Sequence, residues 1–101
     1  MTSRQVSLSV NEVTIEIDYF VQGFIDHTTS GIIEALEGTG KIKTLHISIE
    51  ANEVKITLNN TIVPVNTFVT KIIKNTIFGM VSSLKGVDKI NQLDIDIERT
   101  D

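Results

Sequence analysis

Apolar residues recur along this chain in two periods, one of two residues and one of about 3.6. Val6, Leu8 and Val10 alternate with Gln5, Ser7 and Ser9, and Val13, Ile15 and Ile17 then alternate with Glu12, Thr14, Glu16 and Asp18. Val10 and Val13 would face opposite sides of one straight strand. A two-residue turn at Asn11-Glu12 brings them onto one face and predicts the pairs Val10 with Val13, Leu8 with Ile15 and Val6 with Ile17. Asn suits the first position of such a turn, whereas Glu in place of Gly does not. Residues 19–37 take the helical period, with Val21, Phe24, Ile25, Thr28, Ile32, Ile33, Ala35 and Leu36 on one arc and Asp26, His27, Ser30, Glu34 and Glu37 opposite. Gly38-Thr39-Gly40 ends that helix.

Leu45, Ile47, Ile49 and Ala51 predict the next strand, a turn at Asn52-Glu53 follows, and Val54, Ile56 and Leu58 predict its hairpin partner. This register sets Glu50 opposite Lys55 as a cross-strand charge pair. Asn59 to Pro64 reads as a connector with a short extended piece at Ile62-Val63, which Pro64 keeps from being a central strand. A second helix spans 65–86, capped by Asn66 and ended by Gly86. Its apolar arc of roughly 220° holds Val65, Phe68, Val69, Ile72, Ile73, Ile77, Met80, Val81 and Leu84, so most of its circumference is expected to face the core. Leu93, Ile95 and Ile97 make a last strand over 90–98, and Arg99-Thr100-Asp101 is expected to fray.

These elements repeat. Residues 6–17 match 47–58 at an offset of 41, and 31–49 match 79–97 at an offset of 48 with Gly31/Gly79, Leu36/Leu84, Gly38/Gly86, Lys41/Lys89, Ile42/Ile90, Leu45/Leu93, Ile47/Ile95 and Ile49/Ile97 identical. Eight identities over 19 ungapped positions exceed the roughly one in 15 per position that ordinary composition gives. The reading is one domain over 1–101 in the α+β class, a two-layer sandwich with repeats at 6–41 and 47–89 and a closing strand at 90–98. The element order ββαββαβ contains, from Val13 onward, the β-α-β-β-α-β order of ferredoxin-like folds, an antiparallel sheet with two helices on one face. One strand is surplus: the first and the last would compete for the position beside 12–18, and an unfilled edge would invite pairing with a second molecule.

The composition excludes more than it assigns. The 101 residues include no Cys, which removes disulfides, thiolate metal sites and a Cys nucleophile, and the formal charge of −4 argues against nucleic acid as a partner. The outward strand positions are Ser, Thr, Glu and Asp, without the exposed aromatics that read RNA. No signal peptide and no apolar run long enough to span a membrane is visible, so the expected location is cytoplasmic.

No constellation for catalysis emerges. Asp26 and His27 are adjacent on a helix and so point about 100° apart, which prevents Asp26 from orienting His27 toward Ser30. His46 reads as a solvated strand residue, and Glu12, Glu16, Asp94, Asp96 and Glu98 as a solvated sheet face. Gly38-Thr39-Gly40-Lys41 lacks the first glycine, the following Ser or Thr and the preceding strand of a phosphate loop. The pattern implies no enzyme, cofactor or metal. The sharpest anomaly is the polar face of the second helix, where Phe78 stands among Lys71, Lys74 and Lys85 as a candidate partner-binding anchor. Asp26 and Glu37 occupy the positions of Lys74 and Lys85 in the first helix, so an acidic helix face would suit a basic one. The expected function is a protein-interaction or homo-oligomerisation module. The alternative is a carrier of a small apolar ligand or lipid between helices and sheet, motivated by 41% apolar residues with few aromatics to fill the interior.

Overall fold

A computed structural model describes residues 3–37, 41–84 and 89–100. Along them run β1 (Ser3–Val10), β2 (Val13–Ile15), α1 (Tyr19–Glu37), β3 (Thr44–Glu50), β4 (Glu53–Leu58), β5 (Thr61–Val63), α2 (Thr67–Val81) and β6 (Gln92–Thr100). Among these residues the strands form one antiparallel sheet in the order β2-β1-β6-β3-β4-β5. The class is α+β, but the order is not ferredoxin-like. β1 takes the place beside β2 that the closing strand was expected to contest, and β6 lies between β1 and β3. The surplus strand is thus absorbed near the centre of the sheet, and the edges are the three-residue strands β2 and β5.

The pairing shows how the halves correspond. Val10↔Val13 flanks the turn Asn11-Glu12, and Leu58↔Thr61 flanks Asn59-Asn60. Both residues of each turn are left-handed, with φ of 52° and 67° in the first and 48° and 68° in the second, as the tightest hairpins require. An offset of 48 therefore runs through the whole chain, replacing the 41 expected for the hairpins, and maps β1-β2-α1-β3 onto β4-β5-α2-β6 without an insertion. Val10↔Leu93 becomes Leu58↔Leu45, and Ile47 pairs with its own counterpart Ile95, which places a pseudo-twofold axis between β3 and β6. Ala51-Asn52 is the link between halves, with Ala51 at φ 55°. The turn therefore lies one residue earlier than expected. Glu50 faces Glu53, Lys55 faces Ser48, and the Glu50–Lys55 pair does not form.

Asn11 and Asn59 do the same work in each half. The Asn11 Oδ1 accepts from the backbone N–H groups of Asn91 and Gln92 at 2.8 and 3.0 Å, and its Nδ2 donates to the Lys89 carbonyl at 2.7 Å. The Asn59 Oδ1 accepts from Lys43 and Thr44 at 2.8 and 3.0 Å, and its Nδ2 donates to the Lys41 carbonyl at 2.9 Å. Each left-handed asparagine ties the entry of a central strand to a hairpin turn. Helix starts correspond too, since Asp18 accepts from Val21 N and Asn66 from Val69 N, both at 2.8 Å.

Alternate strand residues form rows on the helix side, one of which runs Ile15, Leu8, Ile95, Ile47, Ile56, Val63 across the sheet. Onto these rows α1 lowers Ile25, Thr29 and Ile33, and α2 lowers Ile73, Ile77 and Val81, at the same i, i+4, i+8 positions. The buried Thr29 hydroxyl donates back to the Ile25 carbonyl at 2.7 Å. β6 continues through Arg99 rather than fraying there: Arg99 N donates to the Lys43 carbonyl at 2.8 Å. The helix ends expected at Gly38-Thr39-Gly40 and at Gly86 lie outside the described residues.

Candidate interaction surface

Both helices sit rotated from the facing that their apolar arcs predicted, and rotated alike. Asp26 and Ser30, expected on the polar side of α1, point into the sheet. Asp26 is 2% exposed. Arg4 Nη1 donates to its Oδ2 at 3.1 Å, Arg99 Nη2 to its Oδ1 at 2.7 Å, and Ser30 Oγ to the same Oδ1 at 3.1 Å. Arg99 Nη2 also donates to Ser30 Oγ at 2.8 Å. Arg4 and Arg99 are directly opposed on β1 and β6, a like-charge pairing that needs an anion between them. Gly23 leaves room for the Arg4 guanidinium, which lies 5.6 Å from the centre of the Tyr19 ring. Burial works to raise the Asp26 pKa, but hydrogen bonds from Arg99, Arg4 and Ser30 and the charge of Arg99 outweigh it, and the carboxyl titrates below its usual range. Asp26 is thus committed to arginines of both halves, Arg4 on β1 and Arg99 on β6, and does not present an acidic counterpart to Lys74.

The expected anchor site is the pseudo-symmetric equivalent of this cluster. Lys74 stands where Asp26 does and donates to Asn52 Oδ1, the counterpart of Arg4, at 2.8 Å. Its Nζ lies 5.5 Å from the centre of the Phe78 ring, and Phe78, the counterpart of Ser30, is half-buried against the core. Lys71 is exposed, and Lys85 lies outside the described residues. The structure therefore brings Lys74 and Phe78 together, with the ring partly covered by its own protein.

Turning both helices inward on that side pushes other apolar residues out on the opposite side. Phe20 (74% exposed) and Phe24 (52%) on α1, and their counterparts Phe68 (69%) and Ile72 (46%) on α2, face solvent. The Phe20 and Phe24 ring centres are 6.2 Å apart. Farther along the same faces come Thr28, Gly31 and Ala35 on α1 and Thr76 and Gly79 on α2, with Ser83 just past the end of α2. A Cβ placed on Gly31 or Gly79 would meet nothing within 4 Å. Each helix thus carries one outward ridge, bulky and apolar in its N-terminal half and small in its C-terminal half. Exposed His27 and Glu34 flank the ridge of α1, and exposed Lys71 flanks that of α2. The wide apolar arcs conceal this ridge, because Phe24, Phe68 and Ile72 belong to the arcs expected to face the core.

The helix-free face is polar. His46 lies between two carboxylates, with Nδ1 2.6 Å from Asp96 Oδ1 and Nε2 3.6 Å from Asp94 Oδ1. His46 and Asp96, with Gln5, Ser7, Thr57 and Glu98, line a shallow groove of about 270 Å3. A second depression of about 500 Å3 lies over the β3–β4 turn, between Ser48, Glu50, Glu53 and Lys55. Among the described residues no three His, Asp or Glu side chains are arranged to hold a metal ion, and no helix is long and apolar enough to cross a membrane. His27 is exposed and does not join the Asp26–Ser30 pair. No family model, curated protein or solved structure matches this chain.

Proposed function

We propose that this chain is a non-enzymatic protein-association module that self-associates through the outer face of its helix layer. The observation that carries this reading is the repetition of exposure: Phe20 and Phe24 in one half, and Phe68 and Ile72 at the equivalent positions of the other, stand in water. Burying a side chain of this size is worth roughly 1.5–3 kcal/mol, so covering four of them offers a substantial driving force. Contiguous apolar surface rimmed by charge is the usual character of an association site. The carrier reading gains little from the two grooves described, which lie on the opposite, helix-free face, are open to solvent and are lined mostly by polar residues, with Leu45, Ile97 and Ala51 as the apolar exceptions.

Sedimentation velocity on the wild type and on a Phe24→Ser, Ile72→Ser double variant tests the reading. The wild type should associate reversibly as concentration rises toward about 1 mM. The double variant should need a concentration at least ~30-fold higher, the effect of losing one central anchor worth about 2 kcal/mol. Its thermal stability when dilute should fall only modestly, because about half of each side chain is already exposed. A wild type that stays monomeric at about 1 mM would refute self-association.

A further inference from the structure

Resting on that reading, we infer that the partner is a second copy of this chain, docked helix layer to helix layer about a twofold axis, with α1 of each copy antiparallel on α2 of the other. Shape, topology, charge and area converge on this arrangement.

Antiparallel stacking sets the bulky half of each ridge over the small half of the one facing it. In the register that seats Phe24 on the partner's Gly79, Phe20 falls over the partner's Ser83, and Ala35 and Gly31 lie under the partner's Phe68 and the partner's Ile72. Glycine in a helix costs about 1 kcal/mol relative to alanine. With open space around Gly31 and Gly79, packing within one chain gives no reason for that cost. Close approach of another backbone does.

The topology permits both contacts at once. α1 starts behind edge strand β2, with Tyr19 beside Arg4 of β1, and reaches Arg99 of β6 at Ser30. α2 starts behind the other edge strand, β5, and is related to α1 by the pseudo-twofold between β3 and β6, so the two helices run in opposing senses across the sheet. A twofold axis lying between them and parallel to both lays α1 on α2 and α2 on α1 together.

Charge selects this pairing over α1 on α1. Glu34 sits about 80° round the helix from Phe24, and Lys71 about 100° round from Ile72 in the same sense. In an antiparallel pair these flanks fall on the same side. Glu34 then meets the partner's Lys71 within about two residues, roughly 3 Å, along the axis. Pairing α1 with α1 would set Glu34 against Gly23, and α2 with α2 would set Lys71 against Ser82. Only the mixed pairing joins opposite charges, and the symmetry does so twice. The molecule measures 34 × 33 × 18 Å, so its broad face can supply the roughly 800 Å2 per partner of a standard specific interface.

Because the chain contains no cysteine, single-cysteine variants report the geometry directly. Glu34→Cys and Lys71→Cys alter only exposed flank positions. Treated with a short bis-maleimide, the equimolar mixture should give a covalent dimer of mixed mass, at least ~10-fold more than either variant alone gives with itself, which corresponds to about 1.4 kcal/mol of preference. Covalent dimers that form equally well in either single variant, or none in the mixture while the wild type sediments as a dimer, overturn the α1-on-α2 docking and leave self-association standing. A wild type that remains monomeric overturns both.

Discussion

Replacing Asp26 by Asn keeps the shape of the side chain and removes its charge, which makes it the cleanest probe of what holds α1 on the sheet. Asp26 is 2% exposed and receives hydrogen bonds from Arg4, Arg99 and Ser30. Breaking a fully buried ion pair by removing one partner costs about 3–5 kcal/mol. The side chains of Arg4 and Arg99 keep 22% and 28% of their exposure, so water can partly solvate the orphaned cations, and we expect about 2–3 kcal/mol. For a domain of this size that is a fall in Tm of roughly 10–20 °C. The pH dependence adds a second, independent readout. The folded-state pKa lies below that of the unfolded chain, near 3.9. Stability from this group is therefore fully present above about pH 4 and is lost as pH falls through the lower, folded value. Urea unfolding of wild type and Asp26→Asn should differ by the full amount at pH 7, and the two curves should converge in acid. The same chain supplies a control: Lys74→Gln, at the equivalent position in the second half, removes an exposed contact to Asn52 and should cost under about 1 kcal/mol with no such convergence. A loss below about 0.5 kcal/mol for Asp26→Asn at pH 7 would show that the arginines do not depend on this carboxylate.

Two further pairs of substitutions probe the repeat. Gly31→Ala and Gly79→Ala should each stabilise the dilute protein by up to about 1 kcal/mol, seen as a Tm rise of roughly 4–8 °C, because a Cβ meets no neighbour there; in sedimentation velocity the same changes should weaken association, and stronger association would contradict the close helix approach. Asn11→Ala and Asn59→Ala should each cost about 2–3 kcal/mol in chemical denaturation, from a left-handed backbone that alanine resists and side-chain bonds that it cannot make. The two losses should agree within about 0.5 kcal/mol, and a large inequality would mean that the matched geometry does not carry matched energy.

Period was legible in the sequence, and phase was not. Both helices, the Asn11-Glu12 hairpin and the cap at Asn66 follow from local spacing and short-range hydrogen bonds. The repeat offset misled in the hairpins because alternating aliphatics look alike in any in-phase register, and the recurrence of Asn-Glu at 11–12 and 52–53 outweighed the true counterpart Asn59-Asn60. Only the strand pairing, which is long-range, shows that Asn59 ties down 41–44 as Asn11 ties down 89–92. An apolar arc of roughly 220° likewise leaves the buried part of a helix undetermined, because a flat sheet covers only about half of the circumference. Arg4 and Arg99, at opposite ends of the sequence and without periodic signal, carried no local hint that they would meet over Asp26.

That ion cluster explains why Asp26 turns inward, but it does not explain the ridge. The second half has Lys74 in place of Asp26, Asn52 in place of Arg4, Ala51 in place of Arg99 and Phe78 in place of Ser30, and yet α2 has the same rotation. What the halves share is the line Ile25-Thr29-Ile33 and Ile73-Ile77-Val81, which seats each helix on the sheet. Once that line is fixed, positions 20, 24, 68 and 72 must point away from the core, since Phe24 and Ile72 lie about 140–180° from the middle of the buried line. Packing alone would be satisfied by polar residues at those positions, as it is at exposed Thr76 and Asn75 on the same helix face. Both halves instead hold large apolar groups there, despite having diverged at Asp26/Lys74 and Ser30/Phe78 just one turn away. Apolar residues at all four outward positions, with the glycines that follow them, are what an interface demands and what a solvated helix does not.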